Sequence, residues 1–482
     1  MRLDIGSAQQ RERVRAVLGV HRPILVLVAI GVALRVYLLI AYRPVAAGFN
    51  DSVTYLFTSK DHLFSDASRM AGYPFTLRIA RYVYPNLSFV VVLQHVLGVA
   101  TAVLLYLTVR CVTGGRWLPL IPAGLVLLSG DYLLLEHSIL TETLYLFLVT
   151  AAIAAVVIGL AATAQRTALV LLVSGGLSLG AAATVRSVGL PVVLYVFGWL
   201  LITTTRVWRK PLRFAAAFAI PAAAVVTTYV ILQGTLTGFW GVLRASGWGL
   251  YPRVAAIADC HAFKPPSHTA FLCESTPPVT RPGPDYYQYV GGPAIARFGN
   301  PFQTNGRGSR TLSHFARAVI LAEPFAYLRE VGRDMVRFID PTAGLDRPYA
   351  GPGSDELDLA RRQPDVEQAT VEAARSVGFA AGAVKVSGGV GFLAELQPML
   401  RVSGAMLVAL LFLACVAVVG GRGRVRATAV LFLGCAILQP LVAVATLSWA
   451  YRYGVVASAD LAAAAALGIH FLADRRALEK TT

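Results

Sequence analysis

Three groups of residues in this chain have types and spacing that could do chemistry. In "NDSVTYL", Asp51 stands just past the first long apolar run, and the only acids before it are Asp4 and Glu12. A carboxylate there could accept a hydroxyl proton as a general base, or cap the helix that "SVTYLF" would begin. The two roles are compatible. In "SGDYLLLEHSILTETLYL", Asp131, Glu136, His137 and Glu142 lie close together and are expected near one face. Glu142 falls where an apolar run starts, and an ionisable residue so placed is a functional suspect. The competing reading is a solvated loop with Thr141 as an ordinary helix cap. Asp, Glu and His this close could also hold a divalent cation through oxygen ligands, with Asp51, Glu142 and His137 as candidates, although the spacing matches no specific metal motif. The third group is Arg35, Arg186 and Arg452, all at outer ends of apolar runs, where positive-inside statistics disfavour arginine. A guanidinium fork matches phosphate oxygens; the alternatives are snorkelling or pairing with a carboxylate such as Asp460.

These residues need a membrane fold to position them. With 56% hydrophobic and only 14% charged residues, and a mean hydropathy of +0.62, the chain is far from the roughly 25% charged residues of soluble domains. Apolar runs of about 20 residues are long enough to span a bilayer. Ten such spans are read, at roughly 23–42, 87–109, 117–132, 143–161, 167–184, 189–205, 214–233, 402–420, 427–447 and 453–473. The first shows no convincing cleavage site and is expected to stay in place.

Charge orients the spans. With the N-terminus in the cytoplasm, the alternate connections are "RCVTGGR", Arg166, "RVWRKPLR", "GRGRVR" and "ADRRALEK", every one basic. The net charge of +17 comes from such clusters. Residues 234–400 hold 16 Lys and Arg against 15 Asp and Glu, so the excess sits at span ends. That is a topology signal, with some attraction for anionic lipid, and it argues against nucleic acid as a partner.

The expected organisation is a cytoplasmic N-terminus (1–22), spans one to seven (23–233), an extracytoplasmic segment (234–401), three spans (402–473) and a cytoplasmic tail (474–482). In the first outer loop, 43–86, Val53, Leu56, Phe57, Leu63 and Phe64 form one apolar stripe, and Phe75, Leu77, Ile79 and Val83 another, as in helices lying at the interface. In the large segment, Phe315, Val319, Ala322, Phe325, Leu328, Val331 and Met335 have helical spacing, with a break expected near Pro324. "KPPSHTAFLCESTPPVTRPGPDYY" and "DPTAGLDRPYAGPGSDE" read as loop. Cys260 and Cys273 share this segment and suggest a disulfide; zinc is the rival, because His261 and His268 are adjacent. Cys415 and Cys435, inside spans, read as packing residues. No Gly-rich phosphate cradle, HExxH or GxSxG element is present.

In order along the chain stand Arg35, "DSVTY", "GYP", "LQHVLG", "ILTETLYL", "TVRSVGLP" and "YRYG". This arrangement resembles the GT-C glycosyltransferases that use lipid-phosphate sugars, particularly the protein-mannosyltransferase and aminoarabinose-transferase branch. It covers roughly residues 30–205 and 440–470. Through "ADC…LCESTPP…GPDYY" the large outer segment is similar to actinobacterial relatives. The fold implied is an all-α polytopic membrane protein of about ten transmembrane helices, with interfacial helices in the first outer loop.

The resemblance implies inverting transfer of a sugar from a polyprenyl-phosphate donor to a protein, glycan or glycolipid acceptor, on the outer face of the plasma membrane. Asp51 would be the base and Glu142 a second carboxylate. Arg35, Tyr55, Gln94, His95, Arg186, Arg452 and Tyr453 would bind donor or lipid phosphate, with no cofactor required. Ser52 departs from the pattern, since many relatives carry a second acid there. A transporter or lipid flippase, or a scaffold that kept the fold without the chemistry, are the alternatives.

Overall fold

The computed structural model describes residues 4–45, 50–340, 357–361 and 364–479; the expected loop "DPTAGLDRPYAGPGSDE" lies almost wholly outside them. Most of the described chain is helical, with only two two-residue strands. Helix α1 (Asp4–Ala41) is followed by two short helices of the first loop, α2 (Asn50–Lys60) and α3 (Gly72–Val83). Then come α4 (Leu87–Thr113), α5 (Leu120–Leu128), α6 (Gly130–His137), α7 (Glu142–Ala161), α8 (Gln165–Val185), α9 (Gly189–Arg206) and α10 (Arg213–Thr237). The large segment carries α11 (Ser246–Ala255), α12 (Pro293–Phe298), α13 (Ser309–Ala322), α14 (Pro324–Arg337), α15 (Pro364–Ser376) and α16 (Gly389–Leu396). The chain closes with α17 (Gly404–Gly420), α18 (Gly423–Thr446) and α19 (Tyr451–Glu479).

Among the described residues eight helices are long and apolar enough to cross a membrane, and two bent pairs bring the number to ten if each counts as one span. The bent pairs are α5 with α6, at 57°, and Gly389–Leu400 with α17, at 44°. The fold is therefore all-α and polytopic. The third expected span, 117–132, is the one that differs most. Its helix breaks at Ser129, whose backbone is extended, so α6 turns away and carries its acids inward.

Most of α19 is buried, from Val455 to Leu467, and Ala462 to Ala466 are fully covered. Such small side chains let backbones approach closely, which is how helices associate where lipid is as apolar as the interface. Within α3, Leu77 is buried while Phe75, Ile79 and Val83 are exposed, leaving an apolar stripe for lipid. The break between α13 and α14 falls at Pro324, the first residue of α14. There the expected stripe divides: Phe315, Val319 and Val331 are buried, but Phe325 and Leu328 are exposed. Of the two cysteines read as packing residues, Cys435 is buried and Cys415 is exposed.

Below the large segment's surface, Trp248, Tyr251, Tyr287, Leu312 and Phe315 form a core of their own. Cys260 and Cys273 are bonded to each other beside it, with Cα atoms 5.9 Å apart. Two backbone pairings pin this segment to the first loop: Tyr42–Arg43 with Lys385–Val386, antiparallel, and Asn86 with Ala380.

The cluster in "SGDYLLLEHSILTETLYL" does not stay together. Asp131 binds Arg401 Nε (3.1 Å), the Val402 amide (2.9 Å) and the Tyr451 hydroxyl (2.9 Å). Glu136 accepts two hydrogen bonds from Arg35, at 2.6 and 2.8 Å, and one contact from His95 Nδ1 at 2.8 Å. The remaining Arg35 donors reach the carbonyls of Gly31, Leu127 and Val126. A guanidinium has five N–H donors, and all five are engaged. A methyl group at Gly98 would overlap the Glu136 carboxylate, which accounts for the glycine in "LQHVLG". Glu136→Ala would strand the buried Arg35 charge and is expected to cost about 3–5 kcal/mol. A fall in the thermal midpoint in detergent checks this; an unchanged midpoint would remove the structural role.

Candidate active site

Five chain segments bring charged side chains to one cavity of about 170 Å³, between the ends of the spans and the large segment. Asp51 comes from the first turn of α2, Glu142 from the first residue of α7 and Arg186 from the extended residue that ends α8. Arg452 and Tyr453 come from the first turn of α19. The loop after α2 adds Arg69, held by a turn in which Asp66 Oδ1 accepts the amides of Ser68 (2.6 Å) and Arg69 (3.0 Å).

Asp51 does not spend its carboxylate on the helix end. Its Oδ1 lies 2.5 Å from Arg69 Nη2 and its Oδ2 3.2 Å from Arg452 Nη2. Glu142 Oε1 lies 2.5 Å from Arg186 Nη1 and 3.3 Å from Arg452 Nε. Arg452 thus bridges the two carboxylates. Thr141 makes no side-chain cap; its hydroxyl donates to Glu142 Oε2 at 3.1 Å and accepts from Arg186 Nη1 at 2.9 Å. The Tyr453 ring lies between two cations, with its centroid 5.3 Å from the Arg186 guanidinium carbon and 5.8 Å from that of Arg452. Arg69 likewise stands over the rings of Tyr55 (5.7 Å) and Phe302 (5.1 Å). Such placements favour cations, because the ring face is negative.

Of the residues picked out from sequence, the cavity brings together Asp51, Tyr55, Glu142, Arg186, Arg452 and Tyr453. It does not include Arg35, Gln94 or His95. Gln94 is occupied by Tyr73 Oη and the carbonyls of Glu136 and Ser138. His95 lies between Glu136 and His137. His137 completes that network by bonding the Tyr42 carbonyl at 2.8 Å, so the proposed Asp51–Glu142–His137 cation site is not assembled. Among the described residues no three His, Cys, Asp or Glu side chains form a metal-holding group. Each site carboxylate also already faces two guanidiniums, a donor set that does not fit a bound divalent cation. Asp460 is not the partner of Arg452 either; it accepts from Gln439 Nε2 at 2.9 Å.

Ser52 is fully buried, and its hydroxyl donates to the Ile139 carbonyl at 3.0 Å, tying α2 to the strand of chain before Glu142. Sequence reading missed Arg69, although it is an outer-loop arginine like those that were chosen. It also missed Gln288, Tyr289 and Phe302, which the large segment adds to the cavity wall. No local pattern marks those three.

Burial alone would raise the Asp51 carboxyl, but the Arg69 and Arg452 guanidiniums outweigh it and hold the group at about 2. The ordinary value of 3.8 is higher, so the unfolded chain takes up the proton first as pH falls. Stability from this carboxylate is fully present above about pH 3.8 and is lost as pH drops through about 2. The difference in unfolding midpoint between wild type and Asp51→Asn is expected to be constant near neutrality and to shrink across that window. A difference independent of pH there would contradict the ion-pair assignment.

Residues 60–243, less than half of the chain, match the family described as dolichyl-phosphate-mannose-protein mannosyltransferase. No curated protein matches the chain. Solved structures that resemble it include the oligosaccharyltransferase of Archaeoglobus fulgidus in its apo form, 14% identical over 95% of this chain and 51% of that one, with a TM-score of 0.43. Another is the same enzyme, AglB, with an inhibitory peptide and a dolichol-phosphate, at 14% identity, 95% and 52% coverage and a TM-score of 0.43. The chain spans about half the length of these proteins.

Proposed function

We propose that this chain is a membrane glycosyltransferase that moves a sugar from a polyprenyl-phosphate donor to an acceptor hydroxyl, with inversion at the anomeric carbon. The observation that carries the reading is Arg452, shared between Asp51 and Glu142 at a cavity where several spans end. The match of residues 60–243 supports the same class and makes a protein hydroxyl and mannose the first substrates to test.

In this reading the acceptor oxygen bonds to the anomeric carbon while the bond from that carbon to phosphate oxygen breaks. The electron pair leaves with the lipid phosphate, and the hydroxyl proton passes to the Asp51 carboxylate. Attack opposite the leaving group inverts the configuration. Arg186 and Arg452 stabilise the negative charge that grows on the departing phosphate. Glu142 orients those two arginines.

The resting geometry makes Asp51 a weak base, because two cations hold its pKa near 2. A donor phosphate against Arg186 and Arg452 competes for Arg452, and removing one cation from Asp51 raises its basicity. The base is thus strengthened when donor is in place. The charge pattern supports cytoplasmic termini and an extracytoplasmic site.

With radiolabelled polyprenyl-phosphate mannose in proteoliposomes, Asp51→Asn is expected to lower transfer by about 10²–10⁴-fold, the usual worth of a positioned base, with donor binding retained. Full activity would sink the base role, and donor movement across the bilayer without transfer would favour transport. Arg452→Gln is expected to weaken donor binding and lower the rate together. An effect on neither would remove the phosphate assignment.

A further inference from the structure

At the membrane edge opposite Asp51, α1 and α5 enclose a groove of about 770 Å³ on the outside of the bundle. Its walls are apolar, with Val26, Ile30, Leu120 and Leu128 among them. Val26 and Ile30 are about half exposed within a helix that crosses the membrane, so this surface meets hydrocarbon. One end is different. Arg22, Arg116 and Trp117 gather there, with the Arg116 guanidinium carbon 5.1 Å from the Trp117 ring centroid. The first two amides of α5 donate to the Trp117 and Leu118 carbonyls, at 3.0 and 3.1 Å, so the two arginines alone supply the positive charge at this end.

The groove is built into the fold. Arg35 joins α1 to the Val126 and Leu127 carbonyls of α5, which sets the spacing of the two walls. Its floor is open at Gly124, where an added Cβ would meet only Leu27 Cδ2, at 3.7 Å.

We propose that this groove is a binding site for an anionic phospholipid, with the headgroup phosphate against Arg22 and Arg116 and the acyl chains along α1 and α5. Charge selects the occupant. Two arginines at one point exceed what a zwitterionic headgroup neutralises, while the apolar walls demand chains that a free phosphate lacks. Trp117, amphipathic and exposed, belongs at headgroup depth. The site is independent of the reaction at Asp51.

Native mass spectrometry of the full chain, given equal phosphatidylglycerol and phosphatidylcholine with identical chains, tests this. Wild type is expected to retain phosphatidylglycerol in preference. Arg22→Gln with Arg116→Gln should weaken that retention about thirty-fold, at about 1 kcal/mol per arginine, and leave phosphatidylcholine unchanged. Gly124→Leu fills the floor with both arginines intact and should also release the lipid, whereas Arg22→Lys with Arg116→Lys should keep the preference. Equal retention of both lipids by wild type overturns the proposal, as does an unchanged preference in the glutamine and Gly124→Leu variants. A polyprenyl phosphate retained instead, and lost in those same variants, overturns the phospholipid assignment.

Discussion

Arg452 is the contact on which the rest of the site depends. Its guanidinium lies 3.2 Å from Asp51 and 3.3 Å from Glu142, so one side chain joins the first outer loop to the start of α7. The balance is tight: Asp51, Asp66 and Glu142 face Arg69, Arg186 and Arg452. Charges this poorly solvated must be paired, because removing one partner leaves the other uncompensated. The pairing therefore places five separate segments at once. In the proposed reaction a donor phosphate entering such a set would redistribute existing pairs and link the electrostatics of Asp51 to occupancy.

Arg452 is held in turn by its neighbours. The Tyr451 hydroxyl lies 2.9 Å from Asp131 Oδ2 and 2.6 Å from the Val402 carbonyl, two acceptors for its one proton, and sets the first turn of α19 against α6 and the entry to α17. Tyr453 packs between Arg186 and Arg452 on the other side. The acids of "SGDYLLLEHSILTETLYL" thus act at three places: Asp131 latches α19, Glu136 binds Arg35 within the bundle, and Glu142 alone reaches the cavity. The bend at Ser129 produces this division, because α6 leaves the axis of α5 by 57° and its two ends face different neighbours.

The large segment completes the cavity. Through Gln288, Tyr289 and Phe302 it forms a wall opposite the membrane helices, with Tyr289 and Phe302 stacked 5.7 Å apart. Arg69 ties that wall to Asp51 through its contact with Phe302. This wall of the cavity is accordingly made by a part of the chain with its own core, buried around Tyr251 and Phe315.

The sequence by itself determined the membrane fold, most of its spans and six of the cavity residues. Apolar run length and the placement of arginine are local properties, set by the bilayer wherever a segment lies. The break at Pro324 was legible for the same reason, since proline lacks the amide that a continuing helix needs. Only the tertiary structure decided which charge meets which. Arg35 and Arg186 look alike as arginines at outer span ends, yet Arg35 has all its donors consumed by Glu136 and three carbonyls, while Arg186 lines the cavity. Pairing depends on distances between residues far apart in the chain, such as Asp51 and Arg452, and those distances exist only once the helices have packed.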